Sequence, residues 1–271
     1  MNNILVKILC GLFLITTITS DGYAGSGDTT ILLANNITIS PATVTIEKVA
    51  NIVYPLSFEA DKKQYLDYVE KFSNKKRDYL VKMYDKGQDY FPKITPILKK
   101  YNLPEELKVL IALESGFNAN AVSRAGAVGY WQMMNESAKD YGLQIGSSKK
   151  MHNRTDERRN LIKSTTAASK YLLAHAKMLG DNLLLMVASY NCGIGKIKQA
   201  IKRSGITNAG FWDIKKYLPK ETRNYVMDFI ALNIIFANYE KFSKKNLVFN
   251  SQSIQVPMSD DPGKLNTSIT N

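Results

Sequence analysis

The chain has 271 residues, of which 45% are hydrophobic and 22% are charged, and its formal net charge is +12. This length allows one substantial domain, or one domain with tails, of ordinary globular composition. The positive charge suits a polyanion, such as nucleic acid, an anionic membrane face or a cell-wall polymer. However, the basic residues are scattered, in short runs such as Lys75-Lys76-Arg77, and no aromatic-interleaved basic ribbon occurs. The charge therefore does not predict RNA binding.

Residues 1–24 have the pattern of an export signal. The apolar run from Ile4 to Ile18 is too short to span a membrane comfortably, and Gly22-Tyr23-Ala24 is typical of a signal-peptidase site. We therefore predict a signal peptide cleaved near Ala24, and a mature chain without a transmembrane span in the periplasm or cell envelope. An uncleaved anchor is the alternative. Export makes nucleic acid the weakest of the three polyanionic partners. Cys192 would be the one remaining cysteine, so no internal disulfide can form.

The rest of the chain is predicted to be extended, then helical, then polar. Residues 25–57 are rich in Thr, Ser, Asn, Ile and Val without a helical period, which predicts an extended, partly disordered lead-in with a short strand around 43–46. Residues 58–241 are assigned to one mostly helical domain, because apolar residues there recur at three- and four-residue spacing. The periodicity fades over residues 242–271, which we interpret as a polar C-terminal tail.

Prolines and glycines give the expected helix boundaries. Pro92 and Pro96 are expected to interrupt the first part of the helical pattern. Pro104 occupies a first-turn position, and the following helix, 105–114, is apolar almost all round, so it should be central and buried and should end at Gly116. Further helices are predicted at 136–141, 158–179, 182–191, 194–203, 210–217 and 220–241.

Glu114 stands at the end of this apolar helix, and residues 115–135 contain no other Asp or Glu. The negative end of the helix dipole and apolar surroundings both disfavour ionisation, so the pKa of Glu114 should be raised. Such a group can donate a proton near neutral pH, as the general acid of a glycosidase does. Ordinary glycoside hydrolysis needs a second carboxylate, which this segment lacks. Position alone favours a structural glutamate that accepts hydrogen bonds from backbone N–H groups.

Five segments between about residues 85 and 240 together carry a family resemblance. They are Glu114-Ser115, Ala125–Met133 (AGAVGYWQM), Asp156–Arg159 with Ser164–Ala168, Ala188–Gly193 (ASYNCG), and Phe211-Trp212 with Pro219–Val226 (PKETRNYV). In this order and at this spacing they resemble the lysozyme-like lytic transglycosylases of the SLT superfamily, most of all the membrane-bound lytic murein transglycosylase D type. One segment alone would be weak, because strings such as AGA are common.

This resemblance implies a mainly α, lysozyme-like (goose-type) helical domain with a glycan-binding cleft, flanked by partly disordered tails. It implies a peptidoglycan lytic transglycosylase, a carbon–oxygen lyase of murein turnover, whose partners are glycan strands. The enzyme would cleave the β-1,4 bond between MurNAc and GlcNAc without water. Glu114 would protonate the linking oxygen as acid. As base it would then take the proton of the muramyl C6 hydroxyl, whose attack on C1 gives a 1,6-anhydro ring.

The resemblance also implies a set of cleft residues. Tyr190 would donate a hydrogen bond towards the reacting centre, although Tyr190–Gly193 also reads as a helix end. Glu221 would line the cleft, although it also suits a helix start. Trp131 and Tyr225 are open between glycan stacking and core packing, with core favoured for Trp131. The substrate-binding residues implied are Ser123, Gln132, Met133, Tyr190, Asn191 and Glu221.

Two other functions remain open. A muramidase could recruit a remote acid such as Asp140 or Asp156, and a non-catalytic peptidoglycan-binding protein could serve an envelope complex, whose proteins would then be partners. No cofactor is predicted. No metal site is predicted either, because His152 and His175 are the only histidines and no Cys/His cluster occurs. Asn135 departs from the family pattern, which commonly has proline there.

Overall fold

The computed structural model describes residues 37–39, 43–145 and 156–257. The predicted signal peptide, residues 1–24, lies outside these ranges, as do residues 25–36 and 40–42 of the lead-in, residues 258–271 and His152. The chain divides into two compact units. One is Val53–Lys244, and the other combines the segments that precede and follow it.

The flanking segments form a three-stranded antiparallel sheet in the order β1-β2-β3. Its strands are β1 (Ile37–Ile39), β2 (Thr43–Lys48) and β3 (Gln252–Pro257). In the β2–β3 pair Thr43 lies opposite Pro257, and Lys48 lies opposite Gln252. The strand expected around 43–46 falls within β2. The sequence analysis did not predict β1, or that residues assigned to a polar tail would pair with the lead-in, because strands this short contain too few periods to be recognised. The domain boundaries remain predictions.

Val53–Lys244 is built almost entirely from helices, which confirms the mainly α prediction. Within the described part of this unit, three short 3-10 helices precede or follow longer elements: Glu105–Val109, Glu157–Arg159 and Lys215–Tyr217. Among the described helices, none is both long and apolar enough to cross a membrane. The α-helices are α1 (Leu56–Glu59), α2 (Lys62–Lys75), α3 (Arg77–Lys100), α4 (Leu110–Ser115), α5 (Asn135–Asp140), α6 (Leu161–Leu179), α7 (Leu183–Cys192), α8 (Ile194–Ser204), α9 (Phe211–Ile214), α10 (Lys220–Ala237) and α11 (Tyr239–Ser243).

Helix α10 is the central element of this unit. Nearly every side chain from Val226 to Ile235 is buried, and the helix packs against α2, α7, α4 and the 3-10 helix before α4. A helix that is apolar on all sides needs neighbours on all sides, which explains this position. The sequence predicted one helix over 220–241, but α10 ends at Ala237. The Asn238 side chain donates to the carbonyls of Ile234 and Val53, and α11 follows.

Helix α3 runs through both of its prolines, so the expected interruption at Pro92 and Pro96 is wrong. Proline has no N–H donor, so the carbonyls four residues earlier, at Gln88 and Pro92, lose their helical partners. Packing outweighs this cost, because α3 buries Leu80, Met83, Ile94 and Leu98 along one side. Both prolines line a groove of about 800 Å³.

The predicted helix 105–114 is divided in two. Residues Glu105–Val109 form a tight 3-10 helix after Pro104, and only then does α4 begin at Leu110. Such 3-10 turns are frequent at helix starts. The expected burial is confirmed, since Leu107, Val109, Leu110 and Ile111 are all fully buried. Gly116 adopts a left-handed backbone with φ 58° and ends α4, as predicted.

Candidate active site

Glu114 projects from the last turn of α4. Its side chain retains some exposure, but its carboxyl group is enclosed, and burial raises its pKa from 4.5 to about 7. Burial disfavours the charged form because the carboxylate loses its hydration. The direction of the shift agrees with the expectation from the sequence. A group with this pKa is present in both protonation states near neutral pH, as a residue that acts as acid and then as base requires.

Tyr225, on α10, is the hydrogen-bond partner of Glu114. Its hydroxyl donates to Oε1 of Glu114 over 2.5 Å, and this bond partly offsets the effect of burial on the Glu114 pKa. Burial and then the charge of Glu114 hold the pKa of Tyr225 well above 10, so it stays protonated and remains a donor. The sequence analysis left Tyr225 open between stacking and core. One pattern in the sequence does group Tyr225 with a predicted cleft residue: it lies four residues after Glu221, so both are on one face of a helix.

Tyr190, on α7, lies near Glu114 but bonds elsewhere. Its pKa is raised well above 10 by burial and then by the charge of Glu114. Its hydroxyl donates to the carbonyl oxygen of Trp131 over 2.7 Å. In this structure the tyrosine that donates to Glu114 is therefore Tyr225, while Tyr190 holds the loop that follows α4. Trp131 itself is fully buried and donates from its indole to Thr165, so it belongs to the core as favoured.

The loop 116–134 contains three of the predicted binding residues. Gln132 has a left-handed φ of 47°, and its Nε2 donates to the carbonyls of Ala121 and Gly129 at 3.2 and 2.9 Å. Ser123 is exposed, and its Oγ accepts the Ala127 N–H over 3.0 Å. Met133 is only 4% exposed. These side chains give the loop its shape, and Gln132 and Met133 also line a small cavity of about 60 Å³ beside Tyr190.

The segment Asp156–Arg159 braces this loop. Arg158 is buried, forms an ion pair with Asp156 over 2.7 Å, and donates to the carbonyl of Met133 over 3.2 Å. Its own carbonyl oxygen lies 2.1 Å from where a Cβ on Gly129 would stand, so only glycine fits there. From the sequence, this segment is part of the resemblance and Asp156 is a candidate second acid of a muramidase, but no role is predicted for Arg158.

The last two predicted residues lie at the α7–α10 junction and at the start of α10. Asn191 accepts a hydrogen bond from the Thr222 hydroxyl over 2.8 Å, which joins α7 to α10. Glu221 is exposed, one helical turn before Tyr225 and on the same face. The structure thus joins Glu114 to Tyr225 directly, and it places Tyr190, Gln132 and Met133 around one cavity next to them. Ser123 lies on the exposed part of the loop.

Known proteins resemble the part of the chain that contains most of this site. Residues 93–210 match the family model described as "Transglycosylase SLT domain". The chain is similar to SLT domains over these residues. Membrane-bound lytic murein transglycosylase D of Escherichia coli (strain K12) is 34% identical over 168 residues, which are 61% of this chain and 35% of that protein. A "Putative tributyltin chloride resistance protein" of Alteromonas sp. (strain M-1) is 32% identical over 116 residues, 43% of this chain and 53% of that one. The chain spans about a third to a half of the length of these relatives.

Solved structures of lytic transglycosylases show a weaker likeness to the chain. An inactive mutant of lytic transglycosylase Slt from Pseudomonas aeruginosa is 20% identical with a TM-score of 0.45, over 56% of this chain and 24% of that one. The 70 kDa soluble lytic transglycosylase from Escherichia coli is 21% identical with a TM-score of 0.43, over 56% and 25%.

The residues matched by the SLT model include most, but not all, of the candidate site. Glu114, Gln132, Tyr190 and Asn191 lie within the matched residues, whereas Glu221 and Tyr225 lie beyond them. Helix α2, which packs on α10, precedes the match. Within the ranges that the structure describes, no group of three or more His, Cys, Asp or Glu side chains is arranged to hold a metal ion. Cys192 is a free, half-buried thiol whose pKa is raised by burial.

Proposed function

We propose that this SLT-domain protein is a peptidoglycan lytic transglycosylase that cleaves the MurNAc–GlcNAc β-1,4 bond and forms 1,6-anhydromuramyl products. The observation that carries the proposal is the environment of Glu114. Its pKa of about 7 is set by burial and by the hydrogen bond from Tyr225, and no charge of a second described carboxyl group contributes. A reaction that uses one carboxyl group twice fits this environment better than one that needs two carboxylates.

The proposed reaction needs two proton transfers through Glu114. Protonated Glu114 first gives its proton to the glycosidic oxygen, and the bond from C1 of the muramyl residue to that oxygen breaks. The C6 hydroxyl of the same residue then attacks C1, and the Glu114 carboxylate takes the hydroxyl proton. The new C1–O6 bond closes the anhydro ring, and Glu114 returns to its initial state. The internal hydroxyl competes well with water because it is already held close to C1.

Tyr225 and the braced loop have supporting roles in this proposal. The Tyr225 hydroxyl stabilises the carboxylate form of Glu114 that exists between the two transfers. Arg158 and Tyr190 hold the loop that contains Gln132 and Met133, so those side chains meet the substrate without a reorganisation of the loop.

The muramidase alternative is less well supported by the geometry. Of its two candidate acids, Asp156 is committed to Arg158, with Oδ2 at 2.7 Å from Nη2. Asp140 is exposed at the end of α5. A non-catalytic binding protein has no need of a carboxyl group whose ionisation is disfavoured by burial. We also propose that the protein acts in the cell envelope after export, and that proteins of an envelope complex are its further partners.

Product analysis tests the proposed function. Purified peptidoglycan sacculi are digested with the full mature chain, and the soluble fragments are analysed by mass spectrometry. We expect muramyl ends that are one water lighter than reducing ends, because the internal hydroxyl replaces water. Reducing muramyl ends alone would establish a muramidase instead. Sedimentation of the protein with the sacculi without soluble fragments would establish a binding protein.

Tyr225→Phe should alter the pH dependence of the reaction. In the wild-type protein the hydrogen bond from Tyr225 lowers the pKa of Glu114. Loss of this bond in the variant should therefore raise that pKa above about 7. The reaction begins with protonated Glu114, so the decline of kcat/KM on the alkaline side should move to higher pH. The maximal rate should fall about tenfold, because a hydrogen bond to a charged group contributes roughly 1.5–3 kcal/mol. The measurement is the pH profile of fragment release, with Tyr217→Phe as control. An alkaline limb at the same pH in both variants would contradict this role.

A further inference from the structure

Helix α10 presents one polar stripe in an otherwise buried surface. Between Thr222 and Ile235, the side chains that are not buried are Arg223, Asn224, Tyr225 and Asp228. Glu221, Asn224, Tyr225 and Asp228 follow the i, i+3, i+4, i+7 spacing, so they share one face of the helix. Tyr225 is the residue that bonds Glu114. The stripe therefore passes the candidate active site and continues beyond it to Asp228.

Asp228 is a half-buried carboxylate with unused hydrogen-bonding capacity. The Tyr68 hydroxyl, from α2, donates to its Oδ1 over 2.5 Å. Within the described ranges, no side chain or backbone group donates to Oδ2. Burial raises the pKa of Asp228, which the bond from Tyr68 and the charge of Lys76 partly oppose. A carboxylate of this kind can accept a hydrogen bond from a hydroxyl or amide group of a ligand.

Two aromatic rings on α2 lie beside this carboxylate. Tyr68 and Phe72 are one helical turn apart, both are half-buried, and their rings are nearly parallel, at 19°, with centroids 5.9 Å apart. Half-buried flat rings next to a carboxylate are a suitable surface for a pyranose, whose apolar C–H face packs on the rings while its polar edge bonds the carboxylate.

The cluster of Tyr68, Phe72 and Asp228 is also connected to the candidate active site through α3. Tyr79 has its pKa raised to about 12 by burial and by the charge of Asp228, so it lies close to that carboxylate. Met83 is one turn further along α3, and its sulfur is 3.7 Å from where a Cβ on Gly116 would stand. Gly116 is two residues after Glu114. The cluster and the candidate active site are therefore continuous both along α10 and along α3.

We propose that Tyr68, Phe72 and Asp228 form a glycan subsite that binds an N-acetylated pyranose unit of the same strand that Glu114 cleaves. This inference rests on the proposed function for the identity of the strand. Continuity with Glu114 is what selects this occupant. Helix α2 lies outside the residues matched by the SLT family model, so the match does not include Tyr68 and Phe72.

Binding to defined oligosaccharides tests the subsite. Isothermal titration uses β-1,4-linked N-acetylglucosamine oligomers of three and six units, with Glu114→Gln in the full mature chain as the parent, so that no probe is cleaved. Phe72→Ala and Asp228→Asn in this parent should each raise the Kd of the hexamer about tenfold. They should change the Kd of the trimer much less, because the trimer can bind beside Glu114 without occupying the sugar position at α2. Tyr217→Ala, at another half-buried tyrosine, should change neither. Phe72→Leu replaces Phe72→Ala if the alanine variant does not fold, since it keeps apolar volume and removes the flat ring.

The outcomes separate this inference from the proposed function. If the wild-type chain releases no anhydromuramyl fragments but binding of the hexamer still depends on Phe72 and Asp228, the proposed function is wrong and the subsite is supported. If the chain cleaves but both variants bind the hexamer like the parent, and Asp228→Asn only lowers the unfolding temperature, the cluster is a structural tie and the inference is overturned. It is equally overturned if the hexamer does not bind the parent.

Discussion

Glu114→Gln is expected to abolish the release of anhydromuramyl fragments from peptidoglycan. The amide keeps the size of the side chain but can neither give nor take a proton, and each transfer by a positioned acid or base contributes about 10²–10⁴-fold to the rate. Fragment release measured by mass spectrometry should therefore fall by at least about 10³-fold. Glu136→Gln, at an exposed glutamate at the start of α5, is the matched control and should retain full activity.

The same substitution should stabilise the protein at alkaline pH. The folded pKa of Glu114 is about 7, above the value of 4.5 expected in the unfolded chain, so the folded state binds the proton more tightly. Stability from this group is thus fully present below pH 4.5 and is lost as the pH rises to 7, by up to about 3 kcal/mol. Urea unfolding should show that Glu114→Gln is more stable than wild type at pH 8, with little difference at pH 4. A variant less stable than wild type at pH 8 would mean that Glu114 is a structural residue.

Arg158→Ala should cause a large loss of stability. It leaves the buried Asp156 carboxylate without its partner, and it removes the donor to the Met133 carbonyl. Removal of one member of a buried ion pair typically costs about 3–5 kcal/mol. The free energy of unfolding in urea should fall by this amount. The catalytic rate of the remaining folded protein should also fall, because the loop with Gln132 is no longer braced.

Two measurements distinguish this from a general effect of charge. Lys163→Ala breaks the surface pair of Lys163 with Glu157 and should reduce the free energy of unfolding far less than Arg158→Ala does. Burial alone would raise the pKa of Asp156, but hydrogen bonds from Arg158 outweigh it and lower the pKa below 3.8. This contribution to stability is present above pH 3.8 and is lost as the pH falls through the folded pKa, and the loss should be absent in Arg158→Ala. Equal costs for Arg158→Ala and Lys163→Ala would refute the bracing role.

Local pattern was sufficient to predict the helical class and the place of Glu114. Pro104, the apolar residues that follow and Gly116 act within a few residues of one another, so their effect on the chain can be derived from sequence. The same local rules failed at Pro92 and Pro96. There the packing of Ile94 and Leu98 against the rest of the unit decides the conformation, and packing partners are not visible in a single sequence.

The partners of the site residues were predicted least well. Tyr225 is 111 positions from Glu114 along the chain, and Arg158 is 25 positions from the Met133 carbonyl that it binds. Nothing in the spacing of these residues identifies which donor meets which acceptor. The resemblance implies a tyrosine donor towards the reacting centre and assigns this role to Tyr190. In the structure the Tyr190 hydroxyl donates to the Trp131 carbonyl, and Tyr225 is the tyrosine that donates to Glu114.

The burial of α10 on nearly all sides has a consequence for the acidity of the site. The position of Tyr225 is set by its helix, because residues of that helix such as Phe229 and Ile230 are fully buried in the core. A repacked interior that rotates or slides α10 by a fraction of an ångström also changes the bond from Tyr225 to Glu114. Interior variants selected for thermostability should therefore also differ in the pKa of Glu114. The pH dependence of any reaction that uses Glu114 would change with it, although no residue of the cleft is replaced.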